Sequence, residues 1–285
     1  MSEQSANLVL PLIEAGAPTP VLIAEDDEGG RRRIQCARVV TLLGGRPGCK
    51  VQLKHRHIAP VHAALVHDGS QVHVVDLVTR HGTMVNDLRI EQELLSVGDV
   101  LTLEPWSFQV EISGADSAFE NAPPISLEPQ AEIIALEHVE TKRLLHSQRA
   151  ICTIGRRAGC DITLNDLSVS RVHALFFRYR GEPAIVDLLS ENGITVNDEP
   201  VRFRILVRDD VLSIGSTQFR VRIGGLDGGR ASGEPLPGPN GKVLPPSDHL
   251  DDRPPGPDLI DIKETEGTQR WRIADSLDKV KKPKS

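Results

Sequence analysis

The chain has no basic surplus: 33 Lys+Arg face 40 Asp+Glu over 285 residues, a formal net charge of −7. Without a basic stripe there is no electrostatic footprint for nucleic acid, so nucleic acid is not an expected partner. Nowhere do apolar residues run together for the 18 or more that a membrane span needs. The N-terminal MSEQSANLVLPLIEAG has no basic stretch ahead of its apolar residues, unlike an export signal. These absences predict a soluble, cytoplasmic protein with no membrane partner. Cysteine is sparse as well: Cys36, Cys49, Cys152 and Cys160 include no CxxC pair. Such a set is no disulfide scaffold and reads as small buried hydrophobes. Gly-rich phosphate loops, nucleophile elbows and HExxH are missing, so neither catalysis nor a cofactor is expected.

What the chain does contain is a repeat. The segment VHAALVHDGSQVHVVDLVTRHGTMVND from Val61 lines up with VHALFFRYRGEPAIVDLLSENGITVND from Val172. The constant offset equates His62 with His173, Asp76 with Asp187, Asn86 with Asn197 and Phe108 with Phe219. Upstream, Gly45-Arg46 reads as the match of Gly155-Arg156, which implies one inserted residue in the second copy. At about 150 residues per domain the length accommodates two domains.

Within each copy the apolar pattern has the strand period of two. ALFFR, AIVDLL, ITV, VLSI and FRVRI in the second copy are short runs separated by turn signals such as Arg180-Gly181-Glu182-Pro183 and Glu191-Asn192-Gly193. HVVDLV, VLTL and FQVEI repeat this in the first. The fold class is all-β: two tandem antiparallel β-sandwiches. The expected domains are an N-terminal extension (1–19), a first copy (20–113), a linker (114–130), a second copy (131–224) and a tail (225–285). The first copy is expected to fold alone. Linker composition shows in GADSAFENAPPISLEPQ. The tail holds Pro235, Pro237, Pro239, Pro245, Pro246, Pro254, Pro255 and Pro257, then an acidic block followed by Lys279, Lys281, Lys282 and Lys284. That composition predicts disorder, with at most a helical turn around 270–282.

The stretch GRRAGCDITLNDLSVSRVHALF from Gly155, followed by IVDLLSENGITVN to Asn197, resembles the forkhead-associated (FHA) domain. That family's pattern is Gly-Arg at a strand end, then Ser-Arg-x-His, then Asp-x-x-Ser-x-Asn-Gly-Thr-x-x-Asn, and the match covers residues 131–224. The resemblance implies a β-sandwich whose loops at one end bind phosphothreonine peptides. It implies Arg156, Ser170 and Arg171 at the phosphate and Asn192 on the peptide backbone, with Glu191 and Asn197 in the same site. Gly155, His173 and Gly193 are then architectural. A phosphothreonine brings nearly two negative charges and three acceptor oxygens, which suit a planar fork of guanidinium donors. Two departures stand out. Glu191 occupies a slot where many members carry a hydroxyl or a cation, and Ile194 replaces the usual Thr.

The first copy resembles the same family with Gly45-Arg46, His62, Asp76, Gly82-Thr83 and Asn86 in place. Ala59 and Pro60 stand at the Ser-Arg positions and His81 at the loop Asn, leaving Arg46 and Arg80 as its cations. It reads as a degenerate module used for packing or protein contact. The resemblance implies an adaptor for phosphothreonine-containing proteins, Ser/Thr kinases or their substrates among them. Thr265 and Thr268 in the tail are candidate ligands in cis. Two other readings stay open: a phospho-independent scaffold, and a metal protein built on His55-Arg56-His57 with His62. In the latter, the Glu that a cupin-like site wants after the second His is missing.

Overall fold

The computed structural model describes residues 9–25, 30–114, 133–145 and 149–224. The linker beyond Gly114, the expected disordered tail, Thr265, Thr268 and the turn at 270–282 lie outside the described residues. Every regular element among the described residues is a β-strand. The first copy contains β1 (Thr19–Glu25), β2 (Arg31–Gln35), β3 (Val40–Gly44), β4 (Val51–Gln52), β5 (Ala63–His67), β6 (Val72–Asp76), β7 (Thr83–Val85), β8 (Leu88–Ile90), β9 (Gln92–Leu94), β10 (Val100–Leu103) and β11 (Trp106–Ser113). The second contains β12 (Ile133–His138), β13 (Leu144–Leu145), β14 (Ile151–Gly155), β15 (Ile162–Thr163), β16 (Ala174–Tyr179), β17 (Glu182–Asp187), β18 (Ile194–Val196), β19 (Glu199–Val201), β20 (Phe203–Ile205), β21 (Val211–Ile214) and β22 (Thr217–Gly224).

Each copy is a sandwich of a six-stranded and a five-stranded sheet. Their orders are β2-β1-β11-β10-β7-β8 and β4-β3-β5-β6-β9 in the first, and β13-β12-β22-β21-β18-β19 and β15-β14-β16-β17-β20 in the second. Pairing is antiparallel except for β3 with β4 and β14 with β15. β10 and β21 alternate between buried and half-buried residues, as strands with one wet face do. Leu22, Leu43, Leu65, Leu101 and Phe108 fill the first core, and Leu136, Ile154, Ile185, Leu212 and Phe219 the second.

β3, β5 and β14 are instead buried at every position, because their sheets are covered on both faces. The outer faces of the two five-stranded sheets meet in a third core, where Leu42, Val66, Val75 and Leu77 pack with Leu175, Phe177, Val186 and Leu188. Burying each such side chain is worth about 1.5–3 kcal/mol. Residues 20–113, expected to fold alone, thus share a core with the second copy, and separation would strip the cover from one whole face of β3, β5 and β6. The residues before β1 belong to the same body. Leu10 joins the third core, Ile13 N donates to Ala37 O (2.9 Å), and Glu14 pairs with Arg180 of the second copy.

The interface is pseudo-symmetric. Arg46 Nη1 donates to Leu189 O at 2.6 Å, and Arg157 Nη1 donates to Val78 O. A Cβ on Gly48 would lie 3.2 Å from Leu189 Cδ1, and one on Gly159 would lie 3.0 Å from Val78 Cγ1. Val78 and Leu189 both adopt positive φ (55° and 59°), a conformation costly for a branched side chain and held here by the arginines across the interface. Two copies of one surface meeting themselves is the isologous geometry of a twofold dimer, realised within one chain.

This geometry also corrects the register of the repeat. Gly45 N bonds to Ala59 O and Arg46 N to Pro60 O, as Arg156 N bonds to Ser170 O and Arg157 N to Arg171 O. Gly44 thus matches Gly155, Gly45 matches Arg156 and Arg46 matches Arg157, with no inserted residue. Among the described residues no helix is long and apolar enough to cross a membrane.

Candidate functional site

The site of interest begins where β14 ends. A Cβ on Gly155 would sit 2.3 Å from Arg171 O, so only glycine lets β14 lie this close to the segment before β16. The bonds from Arg156 N to Ser170 O and from Arg157 N to Arg171 O, both 3.0 Å, lock that approach. They bring Arg156, Ser170 and Arg171 to one end of the sandwich. Arg156 and Arg171 are exposed and Ser170 is half-buried. Among the described residues neither guanidinium has a hydrogen-bond or ion-pair partner.

His173 is fully buried beneath these loops. Its Nδ1 accepts from Ser170 N at 3.0 Å, which leaves Nε2 to carry the proton and donate to Gly193 O at 2.9 Å. Burial pushes its pKa down, against the bond to Gly193 and the charges of Asp187 and Asp166, so the ring works as a neutral strut. The loop 190–193 hangs from this strut and from Asp187, whose carboxylate accepts from Ser190 N and Ser190 Oγ, while Ser190 Oγ accepts from Gly193 N at 2.9 Å. Glu191 N donates to Ser170 Oγ at 3.1 Å, and Asn192 Nδ2 donates to Ser168 O at 2.7 Å. The two loops are thus sewn together with their polar edge outward.

Asp166 anchors the opposite side. It is buried, which works against its charge, yet bonds from Ser168 and Ser216 hold its pKa down at about 2. Between Asp166 and Ser168, Leu167 stands 94% exposed beside the cationic rim. Reading the sequence missed Leu167, since apolar periodicity says nothing of a loop residue that faces water. The rim therefore offers two free guanidinium forks, a serine hydroxyl, an amide and one apolar side chain. Chemically this arrangement can take a tetrahedral oxyanion on an extended peptide.

Asn197 does not join the cluster. It lies at the far end of β18, in the turn to β19, where its Nδ2 donates to Asp210 Oδ1 (2.8 Å) and its Oδ1 accepts from Val211 N (2.9 Å). Asn86 makes the same two bonds, to Asp99 and Val100. A side chain with both polar ends committed to a hairpin in both copies is a turn residue, which corrects its place among the site residues.

The first copy keeps the strut. His62 is fully buried, accepts from Ala59 N (3.2 Å) and contacts Gly82 O (3.0 Å). Burial likewise lowers its pKa. The outward positions differ: Gly45, Ala59 and Pro60 replace Arg156, Ser170 and Arg171, and Arg46 is turned into the interface. Arg80 takes the place of Glu191. His81 stacks on His57 with ring centroids 4.2 Å apart, and His55 meets His57 edge-on at 4.6 Å. With His62 inside the core, the His55–His57–His62 metal set is not assembled. Among the described residues no group of three His, Cys, Asp or Glu is arranged to hold a metal ion.

Comparison with known proteins follows the duplication. A family model described as FHA domain matches residues 41–104 and 152–215. The glycogen accumulation regulator GarA of Mycobacterium tuberculosis is 42% identical over 73 residues, 26% of this chain and 44% of that protein. The oxoglutarate dehydrogenase inhibitor of Corynebacterium diphtheriae is also 42% identical over 73 residues, 26% of this chain and 50% of that protein. The chain thus spans about half the length, or less, of these curated relatives. Among solved structures, the FhaA FHA domain complexed with the intracellular domain of Rv3910 is 30% identical, over 31% of this chain and 99% of that one, with a TM-score of 0.30.

Proposed function

Because the chain belongs to the FHA-domain proteins, with two copies in tandem, we propose that it is a non-enzymatic adaptor whose second domain binds phosphothreonine in partner proteins. Arg156 and Arg171 supply charge-assisted hydrogen bonds to the phosphate, Ser170 a hydroxyl, and Asn192 a contact to the peptide backbone. The observation that carries this reading is the pair of unpartnered guanidiniums held beside Ser170 at one rim. Charged hydrogen bonds are worth about 1.5–3 kcal/mol each. Repulsion from the exposed Glu191 is on the order of 1 kcal/mol, so attraction wins. The relatives named as a regulator and an inhibitor fit an adaptor that acts by binding.

The first domain, with Gly45, Ala59 and Pro60 at its rim, offers no equivalent donors and serves as the packing partner of the second. Candidate partners are Ser/Thr kinases or their substrates in the cytoplasm. Phosphorylated Thr265 or Thr268 would compete in cis. The experiment is a titration of a phosphothreonine peptide and its unphosphorylated twin into the full chain and into Arg156→Ala. The phosphopeptide is expected to bind the wild type selectively and to lose about 30- to 150-fold in the variant, the equivalent of 2–3 kcal/mol. Equal affinities throughout would favour the phospho-independent scaffold.

A further inference from the structure

The loop 190–193 has a second side. Away from Ser170 it forms one wall of a groove of about 310 Å³ that runs between the two domains. Ser190, Asn192, Gly193 and Arg202 line it from the second domain, and Arg46 and Pro47 from the first. Resting on the phosphothreonine reading above, we infer that this interdomain groove takes an acidic side chain of the same phosphopeptide, held by Arg46 and Arg202. The first domain, which lacks a phosphate rim, then sets the sequence preference of the second.

The charge of the groove carries the argument. Arg202 Nε is buried without a hydrogen-bond partner among the described residues. Arg46 engages Leu189 O through Nη1, and a guanidinium has five N–H donors in all. The acid in the wall, Asp187, already accepts from Ser190 N and Oγ. Two cations with spare donors in a partly enclosed space favour an anion there.

The pseudo-symmetric groove provides an internal control. It measures about 190 Å³ and lies beside the first domain's loop 79–82. At the position equivalent to Arg202 it carries Glu91, which pairs with Arg149, and Arg149 Nε also lies 3.3 Å from Asp161 Oδ1. Its lining sets Asp76, Glu91 and Asp161 against Arg89 and Arg149, so acid outnumbers base. The groove beside the proposed phosphate site has the opposite balance, Arg46 and Arg202 against Asp187 alone. Asn192 belongs both to that groove and to the proposed phosphate site, so one extended peptide can reach the two.

The test uses the full chain and a set of phosphothreonine peptides, each with a single Asp, Lys or Ala at one position flanking the phosphothreonine, read by fluorescence anisotropy. At one position Asp is expected to bind about fivefold more tightly than Ala in the wild type, in the range of a partly screened ion pair. In Arg202→Gln that preference should shrink below about twofold, and in Arg202→Glu a Lys peptide should overtake the Asp peptide. Arg46→Gln provides a second reading of the same coupling should the Arg202 variants melt early. Phosphate-dependent binding with no acidic preference, or with a preference untouched by either arginine, would overturn the groove while leaving the phosphate site standing. Loss of all phosphate dependence in the wild type would overturn both.

Discussion

The two domains differ at the surface more than inside. Both keep a buried histidine strut (His62, His173), an aspartate that holds the adjoining loop (Asp76, Asp187) and an asparagine closing the same hairpin (Asn86, Asn197). They part at the outward rim, where Gly45, Ala59, Pro60, Arg80 and His81 stand against Arg156, Ser170, Arg171, Glu191 and Asn192. The parts that build the loops are thus separable from those that would hold a ligand. The contrast also accounts for two arginines in sequence at 156 and 157. One faces outward, while the other crosses to Val78 as Arg46 crosses to Leu189.

The largest effect expected from breaking this arrangement is on stability. Leu175 is fully buried in the interdomain core. Leu175→Ala should cost about 2–5 kcal/mol. Because the core is shared, urea unfolding followed at Trp106, which lies in the first domain, should shift as far as the circular dichroism signal. A Trp271→Phe background keeps that fluorescence specific. A Trp106 transition left in place would mean that the domains fold independently.

The next expected effect sharpens the contrast at the rim. In an Arg156→Ala background, Gly45→Arg with Ala59→Ser and Pro60→Arg should raise phosphothreonine-peptide affinity about tenfold, roughly one charged hydrogen bond's worth. Gly45 has no positive φ, and a Cβ there meets nothing closer than Leu53 O at 3.4 Å, so the side chain fits. An unchanged titration would show that the stacked His57 and His81, not the missing donors, separate the two copies.

The smallest is on acid stability. Asp166, held at about 2, lies below its ordinary value, so it contributes stability above about pH 4 and loses it as pH falls towards 2. Wild type and Asp166→Asn should differ by about 1–2 kcal/mol at neutral pH and converge near pH 2 in urea unfolding. His62 and His173 act in the same direction at higher pH. Their lowered pKa means that the folded state binds fewer protons than the unfolded one, so stability declines as pH drops below about 6.5.

Much of this could be read from residue order. The duplication, the all-β class and the Gly-Arg and Ser-Arg-x-His placements needed only spacing, and the outward face of Arg156 followed from them. The third core was harder to see. AIVDLL reads as a strand by composition, but Ala184, Ile185 and Val186 follow one another with no polar residue between them, which signals burial on both faces, whereas alternation signals one. In the first copy Gly45-Arg46 looks like Gly155-Arg156, although the backbone bonds match Gly44-Gly45 to that pair. What separates them is the missing Cβ: at Gly44 it would sit 2.4 Å from Pro60 O, the counterpart of Gly155 against Arg171 O. No spacing rule distinguishes a glycine that must be there from its neighbour. The motif alone puts Asn197 in the site, whereas its hydrogen bonds with Asp210 and Val211 hold it in the turn.

The central claim, one phosphate-reading domain and one packing domain in a single body, is tested most directly by the stoichiometry of a calorimetric titration of the full chain with a phosphothreonine peptide. One peptide per chain in the wild type, and none under the same conditions in Arg156→Ala, is the predicted result. Two peptides per chain, or one that persists in Arg156→Ala, would contradict it.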